Sequence, residues 1–153
     1  MGFSAKVDTF RVLATDTAGT TYARTGYGFQ PKAVIVWTSG HSNVTDGVAT
    51  ANMRRSMGFG VSTSSRCAVF TQSQDNQGSA VADTGYRTDC ILGTLSTAGA
   101  VDGLLDISSF DSDGITFVVD DQFPANTAIF VLALGGSDIT DAYVGNFQFN
   151  NSA

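Results

Sequence analysis

His41 is the only histidine in the chain, so any mechanism that needs an imidazole must use it. A Ser-His-Asp triad built on His41 would present its serine on a sharp turn such as Gly-x-Ser-x-Gly, and no such turn occurs. His41 lies in Thr-Ser-Gly-His-Ser-Asn, a polar turn, and reads as an exposed loop residue. Zinc needs His and Cys clustered at short spacing, and the chain has no such cluster. Cys67 and Cys90, the only cysteines, stand far apart in Cys-Ala-Val-Phe and Cys-Ile-Leu runs, with no CxxC motif. They fit two buried thiols better than a disulfide.

Carboxylates are the other chemical resource. A glycosidase needs one carboxyl with a raised pKa and a second a few ångströms away. Asp120-Asp121 is the only adjacent pair, but with 14 Asp residues near turns, proximity of two arises by chance. Asp111-Ser-Asp113-Gly114 begins like a calcium loop, then runs directly into Ile115-Thr-Phe-Val, with no further oxygen ligand and no closing Glu. A hairpin turn explains it more simply. Gly26-Tyr-Gly28 and Gly58-Phe-Gly60 lack the third glycine and following helix of a phosphate-binding loop. Asn43 and Asn150 begin glycosylation sequons, which carry weight only in a secreted chain, and the N-terminus has no apolar signal-peptide core. Gly2 fits a myristoylation motif, but Lys6 stands where that motif wants Ser or Thr. The expectation is a protein without enzyme activity, cofactor or metal.

The elements that must carry these residues are strands. All 14 acids are Asp, Glu is absent, and Lys occurs only at positions 6 and 32. The straight-chain helix formers are replaced by Gly, Ser, Thr, Val and Asp, which suit turns and pleated surfaces. Apolar stretches bounded by turn residues predict strands at Ala5–Ala14, Thr20–Arg24, Ala33–Thr38, Ala51–Val61, Arg66–Gln72, Asp89–Leu95, Ala100–Ile107, Gly114–Val119, Thr127–Leu134 and Ala142–Phe149. Several alternate with period two, as in Phe10, Val12, Ala14 and in Ile115, Phe117, Val119. Ala33–Trp37 and Ala128–Leu134 are apolar without alternation, the mark of central strands covered on both faces. The segments at 39–50 and 73–88 read as surface loops, where binding would reside.

This spacing, with no internal repeat, predicts one all-β domain over residues 1–153, an antiparallel β-sandwich of eight to ten strands. At this length about 70% of the unfolded surface can be buried, so no metal or disulfide is needed for folding. The net charge of −6 gives no footprint for nucleic acid. The longest apolar run, Ala128 to Leu134, is far short of the roughly 20 residues of a membrane helix. Residues 1–77 hold seven bases and four acids, net +3, while 78–153 hold one base and ten acids, net −9. Such asymmetry can give subunits complementary surfaces, unless the sandwich interleaves the halves and evens it out. Arg54-Arg55 lies in a strand pattern, so the two point to opposite faces. Whichever faces outward is the candidate interface contact.

One segment carries a family likeness. Gly26-Tyr-Gly-Phe-Gln-Pro-Lys-Ala-Val-Ile-Val-Trp-Thr-Ser-Gly40 resembles a segment of jelly-roll-type virion structural proteins of tailed bacteriophages. Asp113-Gly-Ile-Thr-Phe-Val-Val119 and Phe130-Val-Leu-Ala-Leu-Gly-Gly136 fit the same pattern, so the likeness spans most of the chain. Physically the segment reads as scaffold: Pro31 opens a strand where its missing N–H does no harm, and Trp37 closes that strand as an anchor. The resemblance implies a jelly-roll-like sandwich in a symmetric oligomer on a virion. Without a heptad stalk it favours a head decoration, or cement, protein: a homotrimer on the outer capsid surface that contacts the major capsid protein. The alternative is a glycan-binding domain of a tail fibre or spike, and a cell-encoded lectin comes third. Its contacts are expected to be polar with a few aromatic or Arg anchors, because a large exposed apolar patch would aggregate the free protein.

Overall fold

A computed structural model of the chain describes residues 2–45, 52–75, 78–79 and 81–145. Its elements are strands: β1 (Phe3–Val12), β2 (Thr21–Thr25), β3 (Pro31–Thr38), β4 (Met53–Gly60), β5 (Arg66–Gln74), β6 (Val81–Arg87), β7 (Leu92–Leu95), β8 (Val101–Asp111), β9 (Gly114–Asp121) and β10 (Thr127–Gly136). They form a six-stranded sheet, β1-β10-β3-β4-β5-β6, and a four-stranded sheet, β2-β9-β8-β7. All pairings are antiparallel. The all-β sandwich expected from the sequence is therefore what the chain forms. β1 pairs with β10 and β2 with β9, while β3 to β6 and β7 to β9 are simple meanders.

The inner faces meet over one large core. Phe10, Val12, Val34, Val36, Ile129 and Val131 from the larger sheet pack on Ile91, Leu105, Ile107, Ile115, Phe117 and Val119 from the smaller one. Phe117 is fully buried and stacks on Phe10 with ring centroids 5.3 Å apart. Burying such a side chain stabilises the fold by about 1.5–3 kcal/mol. A second cluster of Ala68, Phe70, Cys90 and Leu95 fills the β5–β7 end.

Two predicted elements come out differently. β6 lies inside the stretch expected to be the 73–88 loop. Its inward positions run Val81, Asp83, Gly85 and Arg87, with only the first apolar, so the strand signal was missing. Gly85 leaves room for Phe70, since a Cβ there would lie 2.1 Å from the ring. Asp83 accepts a hydrogen bond from the buried Gln72 amide at 2.9 Å. An inward charge on an edge strand also discourages edge-to-edge pairing with other chains. The strand expected at Ala142–Phe149 is not seen over residues 142–145, which have no regular structure. Its remaining positions lie outside the described residues.

The segments that carry the family likeness meet at one corner of the sandwich. The Asp113 carboxylate, in the β8–β9 turn, accepts hydrogen bonds from the Gly26 N–H at 3.1 Å and the Gly28 N–H at 2.6 Å. The Tyr27 N–H donates to the Asp113 carbonyl at 3.2 Å. Gly26 and Gly28 both take positive φ, 80° and 75°, which lets the loop turn its amides onto the carboxylate. Beside it, Arg24 grips Asp8 through Nε at 2.7 Å and Nη2 at 2.9 Å, and the Tyr27 hydroxyl donates to Asp8 at 3.0 Å. The Arg24 guanidinium also lies 5.4 Å from the Phe10 ring centroid.

Candidate functional site

The register of the six-stranded sheet fixes which side chains share its outer face. Thr9, Phe130, Trp37, Met57, Val69 and Tyr86 form one continuous row across all six strands. Val7, Leu132, Ile35, Phe59 and Cys67 form the next. Ala5, Leu134 and Ala33 begin a third. At one end of these rows the segment 142–145 shares a cavity with Ala33, Ile35, Phe59, Cys67 and Leu134. Val7 is 67% exposed, Val69 and Tyr86 49% each, and Met57 44%. Trp37 stacks on Phe130 with centroids 5.9 Å apart, which holds the indole flat in the middle of the face.

The face is broad. These three rows, at ~6.7 Å along the strands and ~4.8 Å between them, span an area on the order of 450 Å². That is within the ~300–600 Å² of the largest apolar patch on a typical monomer, a patch that is often functional. The outer face is thus far more apolar than the polar contact surface expected from the sequence. The physical reason lies in β3 and β10. Their inward residues Val34, Val36, Ile129 and Val131 are buried by the smaller sheet, while their equally apolar outward residues are half-buried on the side away from it.

Arg55 is the outward arginine. It is exposed on β4, paired with Thr71, at the end of the face where Arg11 of β1 also points outward. A shallow depression of about 290 Å³ lies beside it, bounded by Trp37, Met57, Val69 and Thr71. Arg54 points inward at the rim, opposite Gln72. It shares a cavity of about 280 Å³ with His41, Asn52 and Asn126 at the tip of the sandwich. His41 accepts a hydrogen bond from the Asn43 N–H through Nδ1 at 3.0 Å, and its carbonyl accepts from the Ala128 N–H at 2.7 Å.

The other chemically capable residues serve the scaffold. Asp111 accepts from the Ser109 hydroxyl at 2.6 Å and the Thr116 hydroxyl at 2.7 Å, and Asp113 holds the Gly26–Gly28 loop. Among the described residues, no three His, Cys or Asp side chains are placed to share a metal. Asp120 lies near Asp106; burial, and then the Asp106 charge, push its pKa up. Asp106 itself is gripped by Arg66 through Nε at 2.6 Å. Cys67 and Cys90 are free thiols. Cys90 is buried, whereas Cys67 is only half-buried, on the outer face beside Phe59, which corrects the expectation that both are buried. Burial, followed by the Asp89 charge, raises the Cys90 thiol to about 12.

The outer face of the four-stranded sheet has the opposite character. Thr21, Ala23, Thr116, Val118 and Asp120 lie on it, a surface suited to water. Comparison with protein-family models, curated proteins and solved structures finds no match for this chain.

Proposed function

We propose that this protein is a non-enzymatic structural protein of a tailed-bacteriophage virion, a decoration protein that stabilises the head from its outer surface. The observation that carries this reading is the contrast between the two sheets. One presents a broad row of apolar side chains, and the other presents threonines and aspartates. A protein that works by holding protein surfaces together needs the first and, when displayed on a particle, the second. The likeness of Gly26–Gly40 to virion proteins supplies the setting, and the major capsid protein is the shell partner.

The mechanism is mass action. A subunit that binds only the assembled shell stabilises it by RT ln(1 + [L]/Kd) at each site, about 2.7 kcal/mol when the subunit stands at 100 times its Kd. Many copies across shell seams sum these terms, so individually weak contacts suffice. The test is to prepare particles lacking this protein and to count its copies in normal particles. Hundreds of copies, together with shells that rupture at lower temperature and milder osmotic shock when it is missing, are expected. Particles that stay as robust but no longer adsorb to cells would transfer the protein to the receptor-binding class.

A further inference from the structure

We infer that the open half of edge strand β1, Phe3–Val7, pairs with the same strand of a second copy of this chain. The pairing is antiparallel, centred on Ala5 about a two-fold axis, and joins the two six-stranded sheets into one.

A sheet edge is a row of unmade hydrogen bonds, and proteins that stay single blunt it. Strands β1 and β6 edge the larger sheet, and β2 and β7 the smaller one. β2 and β7 are short, at five and four residues, and β6 turns Asp83 inward. β1 runs for ten residues and is blunted only in its second half. There the Thr9 N–H donates to the Asp8 carboxylate at 2.8 Å, and the Thr9 carbonyl accepts from Arg24 Nη2 at 3.3 Å. Thr9 therefore turns its backbone groups away from β10. The β1–β10 register runs unbroken, so antiparallel alternation turns those of Phe3, Ala5 and Val7 the same way. Among the described residues nothing bonds them. The side chains around them are open to water: Ala5 and Lys6 are exposed, Phe3 is 61% exposed and Val7 67%. Segment 142–145 shares its cavities with β3 to β6 and with Leu134 of β10, not with β1.

The free groups and the side chains together select a copy as the partner, in one register. Centred on Ala5, the Ala5–Ala5 and Phe3–Val7 pairs exchange both of their N–H···O bonds, and every free group of the stretch is used. On the outer side Phe3 faces the Val7 of the copy, an aromatic and β-branched pair of the kind that stabilises neighbouring strands. On the other side Lys6 faces Ser4, and the two lysines come no nearer than diagonal positions. Centring on Lys6 would set the lysines directly opposite, which destabilises a strand pair. Centring on Val7 would need the groups of Thr9, which Asp8 and Arg24 already hold. The stretch thus complements itself, as a two-fold contact requires. β2 does not obstruct it, because Arg24 and Tyr22 meet Asp8 and Leu13, beyond the paired residues. A three-fold arrangement, as the resemblance implies, would need a different surface.

Sedimentation velocity and light scattering follow the full chain from micromolar to millimolar concentration, where the mass should rise to that of two chains. Ala5→Pro removes an N–H that β10 does not use, a change that edge strands tolerate. Its dissociation constant should rise by about 100-fold, the scale of a few hydrogen bonds lost together. Val7→Glu, at an exposed position, is the second variant, and an unchanged far-ultraviolet circular dichroism spectrum shows that each still folds. Register is read by cross-linking in a Cys67→Ser background. Ala5→Cys sets two thiols on Cα atoms about 5.5 Å apart, within reach of a disulfide, and mild oxidation should link the chains. Phe3→Cys sets them about 13 Å apart along the strands and should not link. A one-chain mass at every concentration overturns the inference. So does a three-chain mass, a two-chain mass unmoved by both edge variants, or linking through Phe3→Cys in place of Ala5→Cys. A chain that stays single but loses its binding to shells on Ala5→Pro gives this edge to the capsid, which overturns the inference and leaves the decoration reading standing.

Discussion

Gly58 is the residue whose enlargement should cost this fold most. It lies on the inward side of β4, directly beneath the backbone of Ile91 where the chain enters β7. A Cβ added there would lie 1.7 Å from the Ile91 carbonyl oxygen, 2.6 Å from its carbon and 3.0 Å from the Cys67 oxygen, against ordinary contact at 3.4–4 Å. All three are backbone atoms, so no rotamer change can relieve the clash. The two sheets must separate locally by roughly 1.5 Å, and a gap of even 0.5–1 Å forfeits a quarter to a half of the dispersion energy across it. Overpacking of a tight core costs about 1–3 kcal/mol, occasionally more. With no flexible neighbour to yield, Gly58→Ala should fall at about 3 kcal/mol. For a chain of this size, at roughly 2–4 °C per kcal/mol, Tm falls by about 6–12 °C. The control is Gly78→Ala, where an added Cβ meets nothing within 4 Å, and its effect should stay within about 0.5 kcal/mol. Differential scanning calorimetry at one fixed protein concentration measures both, since association makes Tm concentration-dependent. A Gly58→Ala protein melting within about 2 °C of the unaltered chain, with 2 °C set by ~0.5–1 kcal/mol on the same scale, would refute the packing account of the β4–β7 contact.

Two further outcomes follow from titratable groups. Burial alone would raise the Asp8 pKa, but the hydrogen bonds from Arg24 and Tyr27 and the Arg24 charge outweigh it and hold the carboxyl below its usual value. The folded pKa being the lower, this stabilisation is complete above the unfolded value of about 3.9 and is lost as pH falls through the folded one. Asp8→Asn should therefore cost about 1–2 kcal/mol in urea unfolding at pH 7, discounted for partial exposure of the pair, and the gap should narrow below about pH 4; a gap independent of pH contradicts the assignment. At pH 7.5 a maleimide should leave Cys90 unlabelled until the chain unfolds, since its thiol is buried and raised to about 12, and should modify the half-buried Cys67 first. Peptide mass spectrometry reads both sites.

Strand content was legible because Gly, Asp and Ser mark nearly every turn and the apolar residues between them alternate. β6 was not legible, because an edge strand that turns Val81, Asp83, Gly85 and Arg87 inward carries no apolar period. The register of the sheets was also hidden, since pairing depends on contacts far apart in sequence. Of the candidate contacts, the opposition of Arg54 and Arg55 follows from the two-residue strand period alone, but which one faces outward depends on which side of β4 the smaller sheet covers. The apolar face itself was written in the sequence, in the non-alternating runs of β3 and β10. The runs read as strands covered on both faces, and the strand order shows that the smaller sheet covers one of them.

The corner formed by Asp113, Gly26–Gly28, Asp8 and Arg24 bears on how such a face can work. Binding costs free energy for every side chain and loop that must be ordered on contact, about 0.5–1.5 kcal/mol per rotamer-rich residue. Here the contact residues sit on strands in mid-sheet, many are β-branched or small, and Trp37 is held against Phe130 before any partner arrives. The loop leading into β3 is tied down by the Asp113 carboxylate, so the strand carrying Ala33, Ile35 and Trp37 cannot shift its register without breaking two hydrogen bonds to a charged group. A sequence whose most distinctive segment locks the start of a central strand, and whose following five residues are apolar on both sides, therefore presents a preorganised surface. Little ordering cost is left to set against the apolar area that contact removes from water.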